Sequence, residues 1–146
     1  MVRTLFCGTN EFAATVLEQL IGSNAVDIVG VVTQPDRPTG RGNKLTPPPV
    51  KQVARTSVFQ PEKLANEAEE ILSQTKPELI IVVAYGQFIP KVMLDYPKYK
   101  ALNIHGSVLP KLRGVVPIQA AILNGLDRTG VSIQVMAEKM DAGPVV

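Results

Sequence analysis

An unbroken apolar run at residues 79–84, LIIVVA, limits the possible folds more than any other part of the chain. The run is far shorter than the roughly 20 residues that a membrane-spanning helix requires. Apolar side chains on both faces of a strand are typical of a parallel sheet covered by helices on its two sides. Residues 79–84 therefore predict a buried strand of an α/β domain.

Strand-like and helix-like segments alternate along the rest of the chain. Short runs rich in Val and Ile predict strands, and apolar residues at helical spacing predict the helices between them. This order favours one domain of 146 residues with a doubly wound, mostly parallel sheet. The predicted strands are residues 2–7, 26–33, 79–84, 102–105 and 131–136, and the predicted helices are residues 12–20, 62–72 and 117–123.

The composition narrows the function classes. A single cysteine, Cys7, and a single histidine, His105, cannot form a disulfide or a Cys/His zinc cluster within the chain, so we expect no metal. Aromatic residues make up only 5% of the chain, which argues against a stacking platform for single-stranded nucleic acid. Gly8 and Glu11 interrupt the first apolar segment too early for a signal peptide, and we expect a cytoplasmic location.

A stretch rich in Pro and Gly, residues 34–49, predicts an exposed loop after the second strand. It is longer than the roughly two to six residues of an ordinary strand-to-helix connection, which favours a functional insertion. Residues 34–55 carry a local charge of +4 in a chain of net charge +2. Such a patch suits phosphate binding, but a solvated loop has the same composition. The charged residues are Arg37, Arg41, Lys44, Lys51 and Arg55, against Asp36.

The first strand-to-helix turn lacks a nucleotide-binding signature. Gly8 is followed by Thr9, Asn10 and Glu11, without the further glycines of the dinucleotide fingerprint. A plain glycine turn with Thr9 or Asn10 capping the helix is the better interpretation. We interpret Cys7, which ends the first strand, as a small buried side chain.

The segment LNIHG, residues 102–106, departs from the pattern of a buried strand. Alternation places Asn103 and His105 on one face, near the carboxyl end of a predicted parallel strand, where α/β sheets bind ligands. This favours a functional His105 over a purely structural one. Asp141 ends another alternating segment and suits either acid–base chemistry or a simple turn before Gly143. Spacing alone leaves a contact between Asp141 and His105 open.

The chain resembles the folate-dependent formyltransferases in the run NIHGSVLPKLRG and in an aspartate 36 positions after the histidine of that run. The segments GTNEFA, TQPDRPTGRGNKL and VFQP are similar to the members of that family that formylate methionyl initiator tRNA. The resemblance implies a Rossmann-like formyltransferase fold. It also implies transfer of a formyl group from 10-formyltetrahydrofolate to the α-amine of the methionyl initiator tRNA, with no DNA or membrane partner and no metal.

The same resemblance implies roles for three catalytic residues. Asn103 is expected to donate a hydrogen bond to the formyl oxygen as that oxygen gains negative charge. His105 is expected to take the proton of the attacking amine. Asp141 is expected to hold and charge-balance the imidazole, directly or through an ordered water.

The binding residues implied by the resemblance fall into two groups. Arg41 is expected to enter the tRNA acceptor stem, and Arg37 and Lys44 are expected to contact phosphates. Phe88 matches the segment that lines the pterin pocket, although it could equally belong to the core. The full set expected to bind folate is Gln87, Phe88, Ile89, Ser107, Val108, Leu109 and Pro110.

Four departures from the family pattern bear on these expectations. Asn10 stands where the family usually has Pro, and Val108 replaces the first Leu of the folate motif. The chain is shortened between residues 53 and 58, which predicts a short helix after the basic loop. Its last residues, 144–146, are apolar and are expected to leave an unpaired edge. The resemblance makes residues 1–146 the N-terminal part of the catalytic domain, without the family's C-terminal β-barrel domain.

Two other functions stay open at this point. One is formyl transfer to a small amine, either glycinamide ribonucleotide or an amino-sugar nucleotide, with the same three catalytic residues. The basic loop argues against it. The other is a folate- or tRNA-binding module without turnover.

Overall fold

A computed structural model describes residues 1–146 and divides them into eight strands and five helices. None of the helices is long and apolar enough to cross a membrane. The elements are, in chain order, β1 (Val2–Gly8), α1 (Glu11–Gly22), β2 (Val26–Val32), β3 (Arg37–Thr39), β4 (Lys44–Thr46), α2 (Pro49–Val53), β5 (Val58–Phe59), α3 (Leu64–Thr75), β6 (Leu79–Val83), α4 (Lys91–Asp95), β7 (Ala101–His105), α5 (Pro117–Leu123) and β8 (Ser132–Val135).

Six of the strands form one sheet in the order β5-β2-β1-β6-β7-β8. All neighbours are parallel except β7 and β8, which are antiparallel. Strands β2 and β5 follow on one side of β1, and β6, β7 and β8 follow on the other side. The strand order therefore reverses between β1 and β6. The predicted doubly wound, mostly parallel α/β sheet is confirmed, and ligands bind such sheets beyond the carboxyl ends of the strands.

Helices cover both faces of the central strands. Leu5 and Ile80 lie in a buried core with side chains of α3 and α4, whereas Phe6 and Ile81 lie in a second core with side chains of α1. Burying a side chain of this size contributes roughly 1.5–3 kcal/mol. The unbroken apolar run of β6 follows from this arrangement, because both of its faces are covered.

The turn after β1 brings helix α1 very close to the sheet. A Cβ atom at Gly8 would lie 2.7 to 2.9 Å from atoms of Phe6, Ala13 and Val83, so no side chain fits there. Asn10 caps α1, since its Oδ1 accepts a hydrogen bond from the Ala13 N–H at 3.0 Å. The interpretation as a plain glycine turn with a helix cap is confirmed.

The predicted exposed loop at residues 34–49 is wrong in part, because β3 and β4 form an antiparallel hairpin within it. This hairpin, residues 37–46, is called the basic hairpin below. Thr39 and Thr46 share a hydrogen bond between their Oγ1 atoms at 2.6 Å, and Gly40 (φ 70°) turns the chain at the tip. Helix α2 follows with only five residues, as the shortened sequence predicted.

The prediction of an unpaired apolar segment at residues 144–146 is also wrong. The Val135 N–H donates to the Pro144 carbonyl and the Val146 N–H donates to the Ile133 carbonyl, both at 2.9 Å. Strand β8 lies at the edge of the sheet, so its outer N–H and C=O groups are free to pair with this extended segment. The side chains of Val145 and Val146 stay exposed.

Candidate active site

Asn103 and His105 lie on the same face of β7, at its carboxyl end, as alternation predicted. Ile104 points to the other face, where it packs against the core beside α1. His105 is buried. Across the antiparallel pair, Asn103 lies opposite Gln134 and His105 lies opposite Ser132 of β8.

Asp141 reaches both of these side chains, which spacing had left open. Its Oδ1 lies 3.7 Å from His105 Nδ1 and accepts a hydrogen bond of 3.5 Å from Asn103 Nδ2. The side chains of His105 and Asp141 are 7% and 8% exposed, so water screens their interaction poorly. Asp141 adopts a left-handed backbone conformation (φ 48°), which Asp tolerates better than most residues. We call Asn103, His105 and Asp141 the β7 cluster.

Two further groups hold the Asp141 carboxylate. Gln134 Nε2 donates to Oδ1 at 2.9 Å, and the Gly114 N–H donates to Oδ2 at 2.8 Å. Sequence reasoning missed Gln134, which is buried. Its signal was present in the alternation of β8, because period two puts Ser132 and Gln134 together on one face.

The second nitrogen of the His105 ring contacts the loop that follows β7. Nε2 lies 2.9 Å from the Leu112 carbonyl oxygen. A carbonyl oxygen can only accept, so Nε2 carries a proton in this arrangement. Leu112 has a left-handed conformation (φ 53°) that is unfavourable for a bulky residue. The loop therefore holds Nε2 as a donor, and Nδ1, which faces Asp141, is the unprotonated nitrogen of the neutral ring.

Buried serines fix the shape of this loop. Ser107 Oγ donates to the Lys111 carbonyl at 2.6 Å, while Ser132 Oγ donates to the Ser107 carbonyl at 2.8 Å and accepts from the Leu109 N–H at 3.0 Å. Both hydroxyls are thus occupied within the protein. Of the predicted folate motif, Val108, which is 56% exposed, and Pro110 are exposed.

The three residues of the predicted pterin segment after β6 lie in three different environments. Gln87 Oε1 accepts from the Leu64 N–H at 2.8 Å at the start of α3, and Gln87 Nε2 donates to the Pro61 carbonyl at 3.1 Å. Ile89 is buried in the core. Phe88 is 70% exposed, so the alternative interpretation of Phe88 as a core residue is wrong.

Ion pairs neutralise part of the positive charge at the base of the basic hairpin. Lys51 Nζ lies 2.9 Å from both oxygens of Asp36, and Gln60 Nε2 donates to Asp36 Oδ1 at 2.7 Å. The hydrogen bonds from Gln60 and Lys51 hold the pKa of Asp36 below its ordinary value. Arg37 pairs with Glu62 at 2.9 Å. Two exposed cations, Arg41 and Lys44, make no ion pair.

Neither the Cys7 thiol nor two clefts elsewhere in the protein is an alternative candidate to the β7 cluster. Burial raises the pKa of the Cys7 thiol to about 12, as expected for a small buried side chain. No three His, Cys, Asp or Glu side chains converge as a metal site. Two clefts, of about 320 and 260 Å³, are lined by none of the cluster residues.

Comparison with known proteins finds formyltransferases that match nearly the whole length of the chain. The family described as formyl transferase matches residues 2–146. The chain is 51% identical to the methionyl-tRNA formyltransferase of Hydrogenobaculum sp. (strain Y04AAS1), over 99% of this chain and 48% of that protein. It is 50% identical to the methionyl-tRNA formyltransferase of Bacillus subtilis (strain 168), over 100% of this chain and 47% of that protein. The chain thus spans about half the length of these relatives.

A solved structure has the same fold. The glycinamide ribonucleotide transformylase 1 of Geobacillus kaustophilus superposes with a TM-score of 0.70 and 26% identity, over 100% of this chain and 80% of that chain. The family match covers nearly every residue of the chain, including the β7 cluster. The chain therefore belongs to the formyl transferase family.

Proposed function

We propose that the protein transfers a formyl group from 10-formyltetrahydrofolate to the α-amine of methionyl initiator tRNA, in the cytoplasm. The observation that carries this proposal is the buried contact of Asn103, His105 and Asp141 at the carboxyl end of β7. A carboxamide donor, an imidazole base and a carboxylate are the groups that formyl transfer to an amine requires. Relatives about half identical in sequence, both methionyl-tRNA formyltransferases, support the choice of acceptor.

Asn103 stabilises the negative charge that develops on the formyl oxygen. Its present hydrogen bond to Asp141 is 3.5 Å long, at the limit of such a bond, so the amide can donate to an incoming oxygen at little cost. One donor aimed at a developing oxyanion typically contributes ~3 to 4 kcal/mol to the transition state.

His105 takes the proton that the amine loses as the new C–N bond forms. The C–N bond to the folate nitrogen breaks, and His105 returns its proton to that nitrogen, which restores the neutral base. Asp141 stabilises the imidazolium from 3.7 Å. For Nε2 to act as the base, it must leave the Leu112 carbonyl and the ring must carry its proton on Nδ1, facing Asp141, so we expect the loop after β7 to shift when the substrates bind.

The folate donor needs a partly apolar surface near the carboxyl ends of the strands. Phe88, after β6, and Val108, after β7, expose apolar side chains there. Gln87 and Ser107 are engaged in hydrogen bonds that hold the two segments, so their role is to shape this surface. Leu109 and Pro110 are assigned to the same surface, whereas Ile89, which is buried in the core, can only support it from within.

The basic hairpin suits the acceptor. Arg41 lies between two glycines at the tip, exposed and unpaired, and Lys44 follows on β4. Arg37 can exchange Glu62 for a phosphate, because an exposed pair of this kind is weak. Binding through such cations weakens as salt concentration rises.

The proposal is tested by measuring formyl transfer from 10-formyltetrahydrofolate to charged methionyl initiator tRNA. Glycinamide ribonucleotide and an amino-sugar nucleotide serve as competing acceptors. Transfer to the tRNA alone is the expected result. Transfer to a small acceptor would overturn the assignment of the basic hairpin, and measurable folate binding without any transfer would make this chain a binding module.

A further inference from the structure

Gln134 is a buried polar residue with no role in the functions assigned above. It lies on β8, 2% exposed, directly opposite Asn103. We propose that Gln134 is a positioning residue, which holds the Asp141 carboxylate in place beside His105. The inference rests on the proposed function, since it concerns the same three residues, and it deepens that function by adding a fourth.

The distances rank the partners of Asp141. Oδ1 is 2.9 Å from Gln134 Nε2 but 3.5 Å from Asn103 Nδ2 and 3.7 Å from His105 Nδ1. Gln134 thus makes the shortest of the three contacts with Oδ1, the oxygen that faces the imidazole. Without this bond, Oδ1 would keep only the two longer contacts.

The position of Asp141 in the fold explains why it needs such support. Asp141 lies outside the strands and helices, in a left-handed conformation, whereas Gln134 lies within the sheet. The Gly114 N–H that binds Oδ2 belongs to the loop that must shift for His105 to act. Gln134 is therefore the one close donor to Asp141 that a regular strand holds in place.

The two polar atoms of the Gln134 amide have opposite effects on stability, because Nε2 binds the nearly buried Asp141 carboxylate. Gln134 Oε1 is buried and has no hydrogen-bond partner. Burying an unpartnered polar atom costs free energy, so an apolar side chain of similar shape would recover part of what the lost hydrogen bond to Asp141 costs. A substitution that removes the amide should therefore damage the site more than the fold.

The experiment compares Gln134→Met, which keeps the shape but has no donor, with Gln134→Glu, which places a second carboxylate against Asp141. Ile133→Val, on the exposed face of β8, is the matched control. We expect Gln134→Met to unfold close to the wild-type temperature, because the removed Oε1 offsets part of the lost hydrogen bond, and to lower kcat about tenfold, with KM for folate unchanged. The control should match the wild type in all three quantities.

The titration of His105 supplies a readout that does not need turnover. His105 is the only histidine, so its imidazole signals in proton–nitrogen correlation spectra need no assignment. Asp141 is the one carboxylate within 4 Å of a ring nitrogen; β6 and β8 carry no ionisable side chain, and Lys111 and Arg113 of the adjacent loop make no ion pair with Asp141. We expect the titration midpoint to fall in Gln134→Met, because a loosened carboxylate stabilises the imidazolium less.

In Gln134→Glu we expect the midpoint to rise, because a second carboxylate stabilises the imidazolium. An unmoved midpoint in both variants would overturn the inference, even if kcat fell, because Gln134 would then not act through Asp141. If the wild type transferred no formyl group but the midpoints moved as expected, the proposed function would fail while the positioning role stood.

Discussion

The β7 cluster lies at the carboxyl end of β7 and the basic hairpin follows the carboxyl end of β2, but the two are built in opposite ways. Asp141 is nearly buried and receives hydrogen bonds from the sheet and from a loop. The hairpin strands are exposed at nearly every position, and side-chain contacts of Asp36 hold the base of the hairpin. This difference fits the proposed function, in which the cluster carries out the chemistry and the hairpin binds the tRNA. Chemistry depends on buried groups at fixed distances, whereas recognition of a charged polymer depends on exposed groups that can adjust.

The largest effect is expected from His105→Ala, which should lower the rate of formyl transfer by roughly 10² to 10⁴, the usual contribution of a general base. Folate binding should be nearly unchanged, because the exposed apolar surface is intact. Single-turnover assays and a folate titration measure the two quantities. Unchanged turnover would remove His105 from the mechanism and leave the buried cluster as a structural feature.

Asn103→Ala should lower kcat by about 10² to 10³, the effect of removing one oxyanion donor. KM for the tRNA should stay the same, because the exposed cations are untouched. Steady-state kinetics separate the two parameters. A raised KM with normal kcat would mean that Asn103 binds substrate instead of stabilising the transition state.

Arg41→Ala should raise KM for the tRNA several-fold without changing folate affinity, because we propose that this exposed side chain contacts the tRNA and not the folate. Lys44→Ala should reduce the salt dependence of tRNA binding by about one phosphate contact. Lys63→Ala is the control, since it removes one exposed cation outside the hairpin. Loss of folate binding in Arg41→Ala would contradict the division between the two regions.

The smallest effect is expected from low pH, which should weaken the contacts of Asp36 at the base of the hairpin. The hydrogen bonds from Gln60 and Lys51 lower the pKa of Asp36. The stabilisation that the ionised Asp36 gives the hairpin is therefore present above the ordinary carboxyl pKa and is lost as pH falls through the lowered value. Amide hydrogen exchange in β3 and β4 should therefore speed up in acid beyond its intrinsic pH dependence.

Asp36→Asn should abolish that extra acid sensitivity, whereas Glu62→Gln, which removes the exposed pair with Arg37, should leave it in place. Equal acid sensitivity in wild type and Asp36→Asn would show that another group anchors the hairpin.

The sequence was most informative where burial imposes a period. The strands around the core were predicted because apolar side chains must face covering helices, and the polar pair Asn103 and His105 stood out against that pattern. Helix α5 was predicted with its observed bounds, Pro117–Leu123. In these places, neighbours along the chain determine the structure.

The elements and contacts that were not predicted depend on partners distant in sequence or on backbone hydrogen bonds, which leave no periodic pattern of apolar residues. Strands β3 and β4 have three residues each and almost no buried side chain, so no apolar period marks them. The contact between Gln134 and Asp141 depends on the antiparallel direction of β8 and on a left-handed turn. The two-residue strand β5 and the five-residue helix α4 were missed because they are too short for any period to appear.

The central position of β1 has a consequence for how the chain folds. Thr4 pairs in register with Leu79, so the sheet joins segments that are about 75 residues apart. During synthesis β1 can pair with β2 early, but its other edge stays open until β6 has emerged from the ribosome. Closing such a long loop is slow, and an open apolar edge invites aggregation meanwhile. The step that completes the sheet is therefore where we expect folding of this chain to be slowest and most sensitive to chaperones.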